Sequence, residues 1–182
     1  MSTSAQPAVG NTAFVRATHA CRMLVLYEDT ASHERAMEAA YRLAAQFEDE
    51  VAFAVTSCAF RDLPNSPAGT KASEAAALAD VLMVATHGHL NSVVDEWLQG
   101  RLARRKGREG ALVLMLIEPI DAGAPILSLM ARCNHAAATA KMDFLPMLPH
   151  SAEEMLARIS QSAALYRPPM QEMPPSHWGL NE

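Results

Sequence analysis

Cysteine is scarce in this sequence, and its few positions lie far apart. The 182 residues include three cysteines, Cys21, Cys58 and Cys133, and no pair has the CxxC spacing. An odd number of isolated cysteines argues against a disulfide framework and indicates a reducing compartment. Cys58 follows the second predicted strand and Cys133 lies in a predicted helix, and we expect both to be buried as packing residues.

Long apolar runs are missing as well. No run approaches the length of a membrane span, and the first twenty residues lack the apolar core of a secretory signal. Lysine and arginine together number 15, against 20 aspartates and glutamates, which gives a formal net charge of −5. This excess of negative charge argues against attraction to nucleic acid or to an anionic membrane. By elimination we expect a cytoplasmic protein with no nucleic-acid or membrane partner.

Aromatic residues make up only 5% of the chain, whereas hydrophobic residues make up 50%. Alanine, leucine, valine and methionine must therefore fill the core. Residues 21–166 alternate between short apolar runs and amphipathic stretches, as expected of one α/β domain. The expected strands cover 23–26, 51–56, 81–85, 111–117 and 141–145, and the helices between them include 71–78 and 125–138. Right-handed crossovers then give a three-layer α/β/α sandwich around a five-stranded parallel sheet, with the strand order 2-1-3-4-5.

The two ends of the chain differ in composition from this domain. Residues 1–20 are small and polar, which predicts a flexible leader. Ser151 and Glu154 form an S-x-x-E capping box, which predicts a final helix. Residues 167–182 contain four prolines and cannot form a regular helix. This proline-rich tail either docks on a second subunit or over the site, or it is disordered.

The stretch from Asp80 to Arg105 organises the predicted site. Residues 81–85 are an unbroken apolar run, typical of a central strand that is covered on both faces. A polar loop over 86–91 follows, and then a helix capped by Ser92 with Asp95 three residues on. The side chains expected on the buried face of this helix are Val93, Val94, Trp97, Leu98 and Leu102.

Open α/β sheets bind their ligands beyond the carboxyl ends of the strands, where the strand order reverses. In the order 2-1-3-4-5 this point lies between the first and third strands. The predicted site is therefore formed by residues 27–33 and 86–91, flanked by residues 118–123.

The residues of these loops suggest a family. The segment from Thr86 to Leu98, THGHLNSVVDEWL, resembles the third-strand segment of flavodoxins and NADPH-dependent FMN reductases, which reads T-P-x-Y-x-x-S-x-P-x-x-L. Residues 27–32, YEDTAS, occupy the position of that family's phosphate-binding loop, S-x-T-G-N-T. The resemblance implies a flavodoxin-like domain that binds a phosphate-bearing or nucleotide-like ligand, FMN among them, with possible NAD(P)H-dependent reductase activity and a homodimer. The residues expected to bind this ligand are Thr30, Ser32, Thr86, His87, Gly88, His89, Asn91 and Glu118.

An alternative follows from what the first loop contains. It has no glycine to wrap a phosphate, and it carries Glu28 and Asp29, whose charges repel one. Residues 22–29, RMLVLYED, also resemble the first strand of a response-regulator receiver domain, which ends in paired acids that bind Mg²⁺. The place of the phosphorylated aspartate holds Thr86 and His87 instead. The alternative is a non-enzymatic regulatory or interaction module on a flavodoxin-like or receiver-like scaffold that has lost its cofactor site.

Histidine offers two further chemistries at this site. His87 is the candidate for general acid or base catalysis, because an imidazole titrates near neutrality. His33, His87 and His89 are weak candidates for a metal site, although histidines in a loop are more often ordinary polar residues, so we expect no metal.

Basic residues cluster at one place in the chain, as Arg101, Arg104, Arg105, Lys106 and Arg108. We expect this cluster to be a solvated helix end whose cations complement the helix dipole. The alternative is a patch that binds phosphate or a partner.

Overall fold

The computed structural model describes residues 20–47, 51–105, 107–120 and 126–149. They form a five-stranded parallel sheet in the order β2-β1-β3-β4-β5, which confirms the predicted topology. The strands are β1 (Ala20–Tyr27), β2 (Ala52–Ala59), β3 (Val81–Thr86), β4 (Ala111–Leu116) and β5 (Asp143–Met147). The helices are α1 (Thr30–Gln46), α2 (Pro67–Leu78), α3 (Ser92–Leu102) and α4 (Ile126–Ala140). The predicted leader up to residue 19, the helix from Ser151 and the tail 167–182 lie outside the described residues.

The apolar strands are covered on both faces by helices, as their unbroken hydrophobic runs predicted. On one face, β1 and β3 contribute Met23, Val25, Met83 and Ala85, which pack with Ala36 and Ala40 of α1. The alternate side chains of these strands point to the other face and include the fully buried Leu24, Leu26 and Leu82, as does Leu114 of β4. That face carries α2, α3 and α4, which contact one another in that order. The result is the expected α/β/α sandwich, and no helix in the described part of the chain is long and apolar enough to cross a membrane.

Two element boundaries differ from the prediction because of proline. Helix α2 begins at Pro67, four residues before the predicted start, and the Ser66 side chain caps it by accepting a hydrogen bond from the Gly69 N–H at 2.9 Å. Proline suits the first position of a helix, where its missing N–H is not needed. Strand β5 continues through Pro146 to Met147, two residues beyond the predicted end at residue 145. A proline is tolerated there because β5 lies at the edge of the sheet.

Helix α3 is capped by Asn91, and the prediction that Ser92 caps it is wrong. The Asn91 side chain accepts a hydrogen bond from the Val94 N–H at 2.9 Å, and Ser92 is the first helical residue. The rotation of the helix also differs from the prediction. Val94, Leu98 and Leu102 are buried, but Val93 is 48% exposed and Trp97 is half-buried.

Asp80 holds three strands together at the amino edge of the sheet. Its carboxylate accepts hydrogen bonds from the Arg22 N–H and from the Arg108 guanidinium, both at 2.8 Å. Its backbone N–H donates to the Arg22 carbonyl, and its carbonyl accepts from the Ala111 N–H. One residue therefore links the starts of β1, β3 and β4.

Arg105 is buried, so the prediction of a wholly solvated basic cluster is wrong at this residue. Its side chain reaches back from the end of α3 and donates to the Ala76 carbonyl of α2 at 2.9 Å. It also donates to the carbonyls of Arg108 and Glu109, at 3.4 and 3.3 Å. The last carbonyls of a helix lack hydrogen-bond donors within the helix, and Arg105 supplies such a donor to the Ala76 carbonyl of α2. Cys58 and Cys133 are buried as expected.

Candidate functional site

The loops that follow β1, β3 and β4 meet at the carboxyl edge of the sheet. β3 lies between β1 and β4 in the strand order, so the residue after β3 can reach both neighbouring loops. His87 occupies that position. The predicted site is therefore built around one histidine, with carboxylates on one side and backbone carbonyls on the other.

Asp29 caps α1 through a reciprocal set of hydrogen bonds. Its side chain accepts from the Ser32 N–H at 2.9 Å. The Ser32 hydroxyl in turn accepts from the N–H groups of Glu28 and Asp29, at 3.0 and 2.8 Å. Ser32 is completely buried. The chain therefore satisfies the donors at the start of α1 with its own side chains.

Glu28 bridges the loops that follow β1 and β3. One carboxylate oxygen, Oε2, accepts from the His87 N–H at 2.9 Å and lies 2.7 Å from the Thr86 hydroxyl. That hydroxyl also lies 2.7 Å from the His89 carbonyl, and its single proton serves one acceptor at a time. Glu28 thus occupies the switch point with its own carboxylate.

The His87 ring meets acceptors at both nitrogens. Nδ1 lies 3.1 Å from the Ile117 carbonyl and 3.0 Å from the Pro119 carbonyl, in the loop after β4. Nε2 lies 3.1 Å from Oδ2 of Asp29. Carbonyl and carboxylate oxygens accept only, so both ring nitrogens must carry protons for all these contacts to be hydrogen bonds. The geometry therefore favours the imidazolium form.

The electrostatics agree with this geometry. Burial by itself lowers the pKa of His87, but the hydrogen bonds to Asp29 and Pro119 and the charges of Asp29 and Glu28 outweigh it and raise that pKa. The pKa of Asp29 is lowered, chiefly by the hydrogen bond from the Ser32 N–H and further by His87, against the opposing effect of burial.

We expect the stability contribution of His87 to be complete in acid and lost toward alkaline pH. A raised folded-state pKa makes the protonated ring stabilising below its ordinary pKa of about 6.5, and this contribution disappears as the pH rises through the folded value. A titration of the ring by NMR should give a pKa for His87 above 6.5, and Asp29→Asn should lower it. Glu34→Gln, on the exposed side of α1, serves as the matched control. An unchanged His87 pKa in Asp29→Asn would contradict the assigned contact.

The structure brings together some of the predicted binding residues and gives others a purely local role. Ser32, Thr86 and His87 belong to one hydrogen-bonded network. His89 joins this network only through its backbone, and Asn91 serves as the cap of α3. Gly88 has a φ of 109°, which favours glycine at the turn. Thr30 is the first residue of α1 and is exposed, and Glu118 lies beside the His87 contacts, before the cis-bonded Pro119.

The three histidines proposed for a metal do not converge. The ring of His33 packs on Tyr27, with a centroid distance of 4.3 Å, while His87 binds Asp29. Within the described ranges, no three histidine, cysteine, aspartate or glutamate residues are grouped so that they could hold a metal ion.

Sequence reasoning missed how Glu28 and Asp29 connect this site. Both were interpreted as charges that repel a phosphate or as the paired acids of a receiver-like strand. The signal for Asp29 was present, because an acidic residue followed three positions later by serine is an approximate capping box. Nothing in the sequence indicated that Glu28 reaches across to Thr86 and His87.

Comparisons with known protein families, with curated proteins and with solved structures found no match for this chain. The function must therefore be argued from the geometry of the site.

Proposed function

We propose that this chain is a non-enzymatic regulatory or interaction module on a flavodoxin-like or receiver-like scaffold. The observation that carries the proposal is that Glu28 and Asp29 occupy the switch point between β1 and β3, where the fold class places a ligand.

The hydrogen-bond donors of this edge are turned inward. The N–H groups of Glu28 and Asp29 donate to the Ser32 hydroxyl, and those of Ser32 and His87 donate to the two carboxylates. A phosphate normally binds such N–H groups at the start of a helix. Here it would have to displace the carboxylates and then face their negative charge, since both residues are exposed. FMN and other phosphate-bearing ligands are therefore less well supported than the module.

Catalysis by His87 is also less well supported. A general base needs a free ring nitrogen that faces the substrate. Both ring nitrogens carry protons in this arrangement, so the ring must give up one proton, and the hydrogen bond that this proton makes, before it can act as a base. The arrangement suits a structural link between loops better than a proton-transfer role.

A visible absorption spectrum of the protein, before and after incubation with FMN and desalting, tests the proposal. We expect the flavin to be removed completely. Titration with inorganic phosphate should likewise leave the amide NMR signals of Glu28, Asp29 and His87 in place. A retained two-band flavin spectrum, or a saturable shift of these amides by phosphate, would overturn the proposal in favour of a ligand-binding protein.

A further inference from the structure

The outer face of α3 has an unusual composition. The helix lies between α2 and α4 and buries Val94, Leu98 and Leu102. The opposite side presents Val93, Glu96, Trp97 and Gly100 at helical spacing, and Arg104 follows in the turn two residues beyond the end of the helix. We call these five residues the α3 stripe. Val93, Glu96, Gly100 and Arg104 are exposed, and Trp97 is half-buried.

The fold itself does not require a glycine at position 100. A Cβ built there would meet no atom of the described chain within 4 Å. Glycine in a helix interior is less favourable than alanine, because it loses more backbone freedom on folding. What the missing side chain permits is the close approach of another backbone to this surface.

Trp97 supplies a second observation beside Gly100. A cavity of about 180 Å³ opens on this face and is lined by Glu96, Trp97, Gly100, Arg101 and Arg104. The indole Nε1 of Trp97 is buried and finds no hydrogen-bond partner among the described residues. The Arg101 guanidinium lies 5.7 Å from the centroid of the Trp97 ring. The exposed part of the half-buried indole ring offers apolar area that a docked partner could cover.

The charges of the stripe are arranged symmetrically about the glycine. Glu96 lies four residues before Gly100, and Arg104 lies four residues after it. If two copies of α3 cross in antiparallel fashion at a twofold axis through Gly100, Glu96 of each copy lies opposite Arg104 of the other. A twofold interface must be complementary to itself, and this placement makes opposite charges meet twice.

We propose that the α3 stripe binds a second copy of this chain, with the two α3 helices antiparallel and Gly100 at the crossing point. The proposal goes beyond the module function and does not depend on the carboxyl-edge site. It assigns roles to Gly100 as the point of close approach, to Glu96 and Arg104 as the pair that fixes the register, and to Trp97 as the apolar contact.

Charge reversal tests the proposal in the full chain by sedimentation equilibrium over a wide range of protein concentrations. The unmodified protein should form a dimer. Glu96→Arg and Arg104→Glu should each weaken the dimer at least tenfold, because each places like charges opposite one another twice. The double variant Glu96→Arg with Arg104→Glu should restore the dimer. Glu38→Arg and Arg42→Glu, made on α1 on the other face of the sheet, are the matched controls and should leave it unchanged.

Cross-linking provides a readout that does not depend on charge. Gly100→Cys, made together with Cys21→Ser to remove the most accessible native thiol, should give a covalent dimer on mild oxidation, because a twofold axis brings the two introduced positions together. Ser92→Cys in the same background should not. A monomeric unmodified protein would overturn the proposal, as would a dimer that is insensitive to the charge reversals or a double variant that stays monomeric.

Discussion

Replacing Gly69 with alanine should lower the free energy of unfolding by about 3 kcal/mol. Gly69 is the third residue of α2, and its N–H donates to the capping Ser66. An added Cβ would lie well inside van der Waals contact with the carbonyl oxygens of Asp62 and Leu63. Both atoms belong to the backbone, so they cannot move aside as a flexible side chain would. The start of α2 must then shift away from the short 3₁₀ turn at Phe60–Asp62.

Gly100→Ala is the matched control, because it makes the same substitution in another helix with open space around the new methyl group. At protein concentrations where the chain is monomeric, it should raise the free energy of unfolding by roughly 0.5–1 kcal/mol, the ordinary gain of alanine over glycine in a helix. Urea unfolding followed by circular dichroism measures both variants. Equal effects of the two substitutions would show that the close packing at Gly69 is not what determines the cost.

Arg105→Ala should destabilise the domain by about 3 kcal/mol. The side chain is 3% exposed, and its loss would leave the Ala76 carbonyl without its partner and open a cavity between α2 and the start of β4. Lysine should recover only part of the stability, since it cannot reproduce the planar set of donors that reaches Ala76, Arg108 and Glu109 together.

Arg61→Ala is the comparison, because Arg61 is an exposed arginine and its loss should change stability by no more than about 0.5 kcal/mol. Thermal and urea unfolding of the two variants distinguish a buried structural arginine from a solvated one. If Arg105→Ala were as mild as Arg61→Ala, the buried position of this side chain would be incorrect.

The fold could be predicted because its information lies in runs of adjacent residues. The apolar runs of β1, β3 and β4 are unbroken, and each amphipathic stretch between strands has helical spacing. Because the crossovers between parallel strands are right-handed, only a few strand orders and helix placements remain. The boundaries of helices and strands were harder to predict at proline, which can either begin an element or interrupt one. Pro67 starts a helix and Pro146 lies inside an edge strand, whereas the predicted helix began at residue 71 and the predicted strand ended at residue 145.

The place where the loops after β1, β3 and β4 meet could be predicted, but the contacts made there could not. Thr86 and His87 follow the central strand, and the strand order alone places them beside the loop after β1. The contacts of Glu28 depend on which way one side chain turns across a distance of 58 residues in sequence. Whether its carboxylate repels a ligand or takes the ligand's place therefore depends on the three-dimensional structure and cannot be inferred from a short sequence pattern.

Arg105 illustrates the same limit in another way. Five basic residues close together in sequence predict a solvated cluster, because arginine is rarely buried. Arg105 points inward because α2 ends nearby with a carbonyl that needs a donor. Composition is the same for every residue of the cluster, whereas burial differs between them and depends on the packing around each side chain.

The three central strands are linked by hydrogen bonds at both ends, through Asp80 at the amino edge and His87 at the carboxyl edge. These two links respond to protonation in opposite ways. Burial tends to raise the pKa of Asp80, but the hydrogen bonds from Arg22 and Arg108 outweigh it and hold that pKa below its ordinary value. The Asp80 link is therefore complete above about pH 4 and is lost as acid protonates it. The His87 link is complete in acid and is lost when the ring gives up its proton. Alkaline pH therefore weakens the contact between the His87 ring and Asp29 at one end of these strands, while the hydrogen bond from the His87 N–H to Glu28 remains. Strong acid weakens the contacts of the Asp80 carboxylate at the other end, while its backbone hydrogen bonds to Arg22 and Ala111 remain.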